Sequence, residues 1–402
     1  MNDETTCGEA LVALLEAYGV DTVFGIPGVH TLALYRGLER SGIRHVRVRH
    51  EQGAGFMADG YARTSGRAGT CFLISGPGVT NAVTAMGQAY ADSIPMLVIS
   101  SDTTSRSQGK GWGCLHEVTD LVAVTRPVTA FSARVHEPEE LEPLLARAFS
   151  LFASGRPRPV HISVPIDVLE RPVRTVMKPR TPPSRACPDA AGLDRAAELL
   201  GAAAAPVVLA GGGATDACGP ISELAERFDA PVVTSIRAKG VIPDSHPLAL
   251  GGGIAHPVVH RLVGEADVVL AIGTELSETD SFVERLAFGG KLIRVDLDPD
   301  KINDHYGADV GIVADARAAT VGLLEHQPAI RERRLNGADR VSQSRRAITE
   351  SLSDLERRHA VFLDALRAAL KPEAMVFGDM CQVVYSGAFL FPVELPRRWP
   401  YP

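Results

Sequence analysis

The chain has 402 residues, 45% of them hydrophobic and 22% charged, with a formal net charge of −7. That length and apolar share suffice for two or three domains with full cores, and an acidic balance without a basic stripe argues against nucleic acid as a partner. Six cysteines without a CxxC pair signal neither a disulfide framework nor a zinc site. A reducing cytoplasm fits that usage, and an acidic start with no apolar run of spanning length argues against secretion and the membrane.

In chain order, Thr5 or Thr6 is placed to cap a helix running to Tyr18, and Gly19 to end it. A strand at 22–24 enters the turn Gly25-Ile26-Pro27-Gly28, followed by a helix over 30–40. Strands at 43–48, 70–74 and 96–100 then alternate with helices at 52–63 and 80–91, and a helix at 139–153 and a strand at 160–164 finish a first domain ending at 169. Regular β-α alternation predicts an α/β fold, with doubly wound parallel sheets covered on both faces.

Residues 170–188 are proline-rich and aperiodic, which reads as a linker. A second, Rossmann-like unit over 189–328 follows, with helices at 190–203 and 316–325 and strands at 207–209, 232–233, 268–272 and 292–296. Its Gly211-Gly212-Gly213 run lacks the full dinucleotide fingerprint, since Asp216 stands where the last glycine belongs, so a tight turn is the simpler reading. His256 and His260 have helical metal-pair spacing, but Pro257 and the lack of a third acidic ligand favour a structural role. The Arg-rich stretch 331–358 reads as a solvated helix within a connecting segment 329–370. A strand at 375–377 is expected to open a further β-α unit over 371–402, one that ends too soon to bury a core.

Glu51 sits where the strand at 43–48 gives way to a helix, within His50-Glu51-Gln52-Gly53-Ala54. The helix N-terminus favours its charged form and close-packed small residues desolvate it, which suits proton transfer, while a cap or a salt-bridge partner is the bland alternative. Two other turns belong to the same sheet edge: Phe24-Gly25-Ile26-Pro27-Gly28 and Ser75-Gly76-Pro77-Gly78-Val79-Thr80-Asn81. Open α/β folds bind ligands at the C-terminal ends of their strands.

These three motifs, with Val295-Asp296-Leu297-Asp298-Pro299, resemble those of the thiamine-diphosphate (ThDP) enzymes related to acetolactate synthase. The runs 30–35, 86–95 and 115–117 look most like the branch that decarboxylates 5-guanidino-2-oxopentanoate, a reaction of arginine catabolism. The segment 272–280 replaces the Arg-containing stretch that contacts FAD in acetolactate synthase, so FAD is not expected.

The resemblance implies a ThDP pyrimidine-binding domain over 1–169. Glu51 would hydrogen-bond the aminopyrimidine and so activate the cofactor for attack on a 2-oxo acid, which loses CO2 to give an aldehyde. Pro27, Gly28, Gly76, Pro77, Gly78 and Asn81 would border the cofactor, and Val29 and His30 the substrate. His116 falls where pyruvate-type decarboxylases carry a histidine pair; it is a candidate proton donor or substrate contact, a structural hydrogen bond being the alternative, with Glu117 in place of the second histidine as a substrate contact. Asp379 and Gln382 match the opening of the family's third domain, whose Gly-Asp-Gly…Asn motif holds Mg2+ and the diphosphate. That motif does not occur here, so no metal ligand is assigned, the chain reads as truncated, and this fragment is expected to be inactive alone. The partners implied are the 2-oxo acid and further copies of the chain, as a homodimer or homotetramer. An acetolactate synthase-like carboligase and a catalytically silent, dimerising fragment are the rival readings.

Overall fold

The computed structural model describes residues 5–326, 328–330 and 336–401. They form two compact units that divide between Ser184 and Arg185.

The first unit is a six-stranded, wholly parallel sheet. Its strands are β1 (Thr22–Gly25), β2 (Arg44–Arg47), β3 (Gly69–Leu73), β4 (Met96–Asp102), β5 (Phe131–Arg134) and β6 (Val160–Pro165), in the order β2-β1-β3-β4-β6-β5. The central β3, β4 and β6 are buried along their whole length, as parallel strands covered on two faces must be. One face packs Leu11, Leu14, Leu34, Phe72 and Ile99; the other packs Val48, Ala58, Leu73, Val79 and Met86. Thr6 caps the helix Cys7–Ala17 through a reciprocal box with Glu9.

The proline-rich stretch is tied down at its start. Cys7 N–H donates to the Arg171 carbonyl at 2.8 Å and Val173 N–H to the Thr5 carbonyl at 2.9 Å, while Val173 and Met177 pack on the core. Further along, Arg180 N–H donates to the Tyr18 hydroxyl at 3.0 Å, so the aperiodic chain is held on the first unit as far as that residue.

The second unit is also six-stranded and parallel. β7 (Pro206–Ala210), β8 (Val232–Thr234), β9 (Ala249–Gly251), β10 (Val268–Ile272), β11 (Lys291–Asp296) and β12 (Val310–Val313) run in the order β12-β11-β10-β7-β8-β9. At β7/β10, where the chain order reverses, the two following turns are stitched together: Gly211 N–H donates to the Ile272 carbonyl at 2.9 Å and Gly213 N–H to the Gly273 carbonyl at 3.0 Å. A Cβ at Gly211 would lie 2.2 Å from the Gly273 carbonyl oxygen, so the glycines here serve close approach of backbone.

Three sequence expectations need correction. No strand forms at 375–377: Val376 N–H donates to the Arg398 carbonyl, but no ladder builds on it. The residues after 371 nevertheless bury a core, since the helix Gln382–Leu390 and the following chain place Val384, Phe391, Val393 and Trp399 against Ile236 and Leu363. They therefore belong to the second unit, and an apolar helix face in place of a strand is what closes them. The Arg-rich stretch is two helices, Gly337–Ser351 and Asp354–Ala369, because Ser353 caps the second; its first residues, 331–335, lie outside the described residues. Val341 and Ile348 are buried and Arg345 donates to the Asp244 and Ala249 carbonyls, so that stretch packs as well as solvates.

Candidate active site

The candidate site lies at the C-terminal edge of the first sheet, where β1, the turn after β3 and the helix Glu51–Ser65 converge. His50 caps that helix, its Nδ1 accepting the Gln52 N–H at 3.1 Å. Capping is thus done by the residue before Glu51, which frees the Glu51 carboxylate from that duty. The next helix, Pro77–Ala91, begins with proline at its first position and packs beside the first. A Cβ at Gly55 would lie 2.5 Å from that of Ala85, so this glycine sets how closely the two helices approach. The approach delivers Asn81 to Glu51: its Nδ2 donates to Oε2 at 2.9 Å. Oε1 looks toward Gly78, 3.7 Å from where a Cβ would stand, so the missing side chain leaves that oxygen open.

Gly76 has φ +58° and ψ −112°, a conformation reserved for glycine. A Cβ there would stand 2.2 Å from the carbonyl oxygen of His116, so Gly76 seats the loop that carries this histidine. His116 is itself in the left-handed region, φ +61°, half-buried, with an enclosed Nδ1 that has no hydrogen-bond partner among the described residues. Strain and an orphaned polar atom together mark a position held for use.

His30 meets it from the other side. The turn Val29–Thr31 buries His30, whose ring lies 5.7 Å from that of His116 at 72°. Its Nδ1 is 2.7 Å from Ser75 Oγ. Burial lowers the His30 pKa below the ordinary imidazole value, the His116 ring lowers it further and Asp102 opposes them. Pro27 and Val29 are exposed, Val29 with 72% of its surface open, on the turn that carries His30.

Glu117 has other work. Its carboxylate accepts the backbone N–H groups of Gly111, Gly113 and Cys114 at 3.0, 2.8 and 3.1 Å, fixing a loop whose glycines at 109, 111 and 113 all have positive φ. This geometry makes it a loop staple in place of a spare carboxylate for substrate. Asp379 and Gln382 are exposed, just before and at the start of the helix Gln382–Leu390 in the second unit. His256 caps the helix Pro257–Gly264, and among the described residues no three His, Cys, Asp or Glu side chains are gathered for a metal. Sequence reasoning quoted Ser75 only as motif and did not pick out Ser101 or Asp102; their signal was position, at the ends of β3 and β4.

Residues 5–124 match the N-terminal TPP-binding domain of thiamine pyrophosphate enzymes, and residues 193–323 match the central domain of the same enzymes. The chain is 51% identical over 399 residues to a probable 2-ketoarginine decarboxylase of Pseudomonas aeruginosa, covering 99% of this chain and 71% of that protein. It belongs to the thiamine pyrophosphate enzymes. More distant similarity, 34% over 414 residues, links it to the acetolactate synthase large subunit of Corynebacterium glutamicum, of which it spans 66%. Isozyme 1 of the Escherichia coli acetolactate synthase large subunit is 33% identical over 403 residues. The site residues fit the pyrimidine end of the cofactor: a carboxylate with one oxygen held and one open, a wall kept low by Gly78, and a turn that only glycine can make.

Proposed function

We propose that the complete enzyme removes CO2 from a 2-oxo acid with bound ThDP, 5-guanidino-2-oxopentanoate being the preferred substrate. The observation that carries this reading is the Glu51 carboxylate, fixed by Asn81 on one oxygen and open on the other beside Gly78. When bound, the cofactor supplies a nucleophilic carbon and an electron sink for the decarboxylation. Glu51 would hold and move a proton at its open oxygen, where the pyrimidine end of the cofactor would lie, and Asn81 would fix the carboxylate plane. Pro27, Gly28, Gly76, Pro77 and Gly78 line the pyrimidine side, and Val29 and His30 the substrate side. His116 supplies the proton that the product carbon takes up. Asp379 and Gln382 belong on this reading to the diphosphate end, where Mg2+ is also held.

The preference for a cationic tail rests on similarity to the Pseudomonas protein, whose name, 2-ketoarginine decarboxylase, denotes the same guanidino acid. Three acidic groups that could meet a cation already have partners: Glu117 accepts three backbone N–H groups, Glu275 pairs with Lys301 at 3.1 Å and Asp280 accepts from Ser277. A place in arginine catabolism, a cytoplasmic location and a homodimeric or homotetrameric assembly complete the proposal. Similarity to acetolactate synthases favours a second reading, carboligation of two pyruvates.

The test compares decarboxylation of the guanidino acid, its uncharged chain-length analogue and pyruvate at subsaturating concentrations, in the complete enzyme and its Glu51→Gln variant. The variant is expected to lose turnover, because an amide cannot take up and return the proton. Near-normal turnover in the Glu51→Gln variant would remove the Glu51 assignment. Equal kcat/KM for the charged and uncharged acids would remove the cationic preference, and acetolactate as main product would move the protein to the synthase branch.

A further inference from the structure

The site contains a second imidazole, which the reading above treats only as a substrate contact. Among the described residues, His30 makes its one hydrogen bond through Nδ1, to Ser75 Oγ at 2.7 Å. Ser75 is fully enclosed at the end of β3, and its own N–H donates to Ser101 Oγ at 3.1 Å, which fixes where the hydroxyl stands. Nothing else among those residues anchors the His30 ring, and its edge-on neighbour is His116, 5.7 Å away.

We propose that His30 and His116 act as one proton-handling pair, and that Ser75 is the positioning residue that sets which nitrogen of His30 carries the proton. This deepens the decarboxylase reading and rests on it for the use made of the proton. A hydroxyl suits the task because it can donate to a neutral Nδ1, leaving the proton on Nε2, and can rotate to accept from Nδ1–H once the ring is charged. A carboxylate in its place could only accept, and would hold the ring charged throughout. Two imidazoles at this separation disfavour double charging, so a proton taken by one is withheld from the other.

The charged and titratable groups facing His30 are His116, on the loop seated by Gly76, and Asp102, at the end of β4. Asp102 is already bound by Arg134 Nε at 3.2 Å and Ser163 Oγ at 3.0 Å, which blunts its pull. In the reaction, the bond to the carboxylate carbon breaks and CO2 departs, leaving its electron pair at the former 2-oxo carbon. The Nε2–H bond of the charged His30 then breaks, a C–H bond forms at that carbon and the ring is left neutral. Solvent restores the proton through His116.

The test is two-bond nitrogen–proton NMR of the 15N-labelled chain, which reads the tautomer and titration of each histidine without substrate. Ser75→Ala and His116→Asn are compared with the unaltered chain after thermal melting confirms that each folds; Asn is chosen because it tolerates the left-handed backbone at 116. Ser75→Cys, a near match in size with a weak donor, replaces the alanine variant if that one fails to fold. The unaltered chain is expected to show one dominant His30 tautomer. Loss of the hydroxyl should redistribute the tautomers, and His116→Asn should move the His30 midpoint upward, since a neighbouring positive ring is removed. An unchanged tautomer population without the hydroxyl, or a midpoint unmoved by His116→Asn, overturns the pair and leaves the family reading standing. An intact pair in a complete enzyme that decarboxylates no 2-oxo acid overturns instead the reading beneath it.

Discussion

Gly76→Ala is the most direct perturbation of the site's construction. The backbone at Gly76, φ +58° and ψ −112°, is one an alanine adopts only under strain, at a cost of about 1–3 kcal/mol. The added methyl would also stand 2.2 Å from the His116 carbonyl oxygen, so the His116 loop must retreat by about 1 Å to restore contact distance. Crowding of this kind costs roughly a further 1–3 kcal/mol. The sum, about 2–6 kcal/mol, should lower the melting transition of the first unit by at least 4 °C or so. A shift of about 1 Å in a reacting group lowers turnover by on the order of 100-fold, so the loss of activity should exceed what instability explains. Gly60→Ala is the control, since a Cβ there meets nothing within 4 Å and alanine is the better helix former. Calorimetric melting of the variants, with the His116 imidazole signals read by NMR, checks both halves. If Gly76→Ala melts with the unaltered chain and leaves the His116 signals in place, the claim that Gly76 seats this loop is refuted.

Arg63→Leu removes a guanidinium with 6% of its side chain exposed that pairs with Asp59, itself 8% exposed, and with Asp92. Leaving Asp59 buried without its cation should cost about 3–5 kcal/mol in urea unfolding, and a loss below roughly 1 kcal/mol would show that the network is solvated. His161 lies in the core between Ser100, Thr125 and Ser132, and burial, aided by Arg134, holds its pKa down to about 3 against an ordinary 6.5. Between these values the unfolded chain takes up a proton that the folded chain refuses, so stability falls as the pH drops from about 6.5 toward 3. A His161→Gln variant should flatten that part of the stability curve relative to the unaltered chain; a parallel curve would mean that other groups carry the acid sensitivity. Asn81→Ala should weaken ThDP binding in titration calorimetry, because Glu51 loses the donor that fixes its plane. Unchanged affinity would assign Asn81 to helix packing alone.

Much of the fold was legible because its signals are local. The central strands of both sheets are largely apolar, and the helices between them carry caps and small-residue faces, so β-α alternation could be read with bounds close to those observed. The strands that escaped notice, β5, β9 and β12, all lie at sheet edges, where one flank is unpaired and the apolar run is short. The apolar stretch at 375–377 misled in the opposite sense: it has strand composition, but a strand needs a partner to hydrogen-bond, and no ladder forms on it among the described residues. At the site, Glu51 and the glycine-rich turns could be found from their residue types, since only certain residues cap, turn or exchange protons. What the tertiary structure decided was how these were joined. His30 and His116 stand 86 residues apart in sequence, yet Gly76 brings the second against the first; Ser75 became a ligand of His30 because β3 ends beside that turn. Glu117, placed by sequence beside substrate, has its carboxylate bonded by three backbone N–H groups of its own loop. Proximity across the sheet edge depends on helix spacing and strand order, which no local pattern encodes.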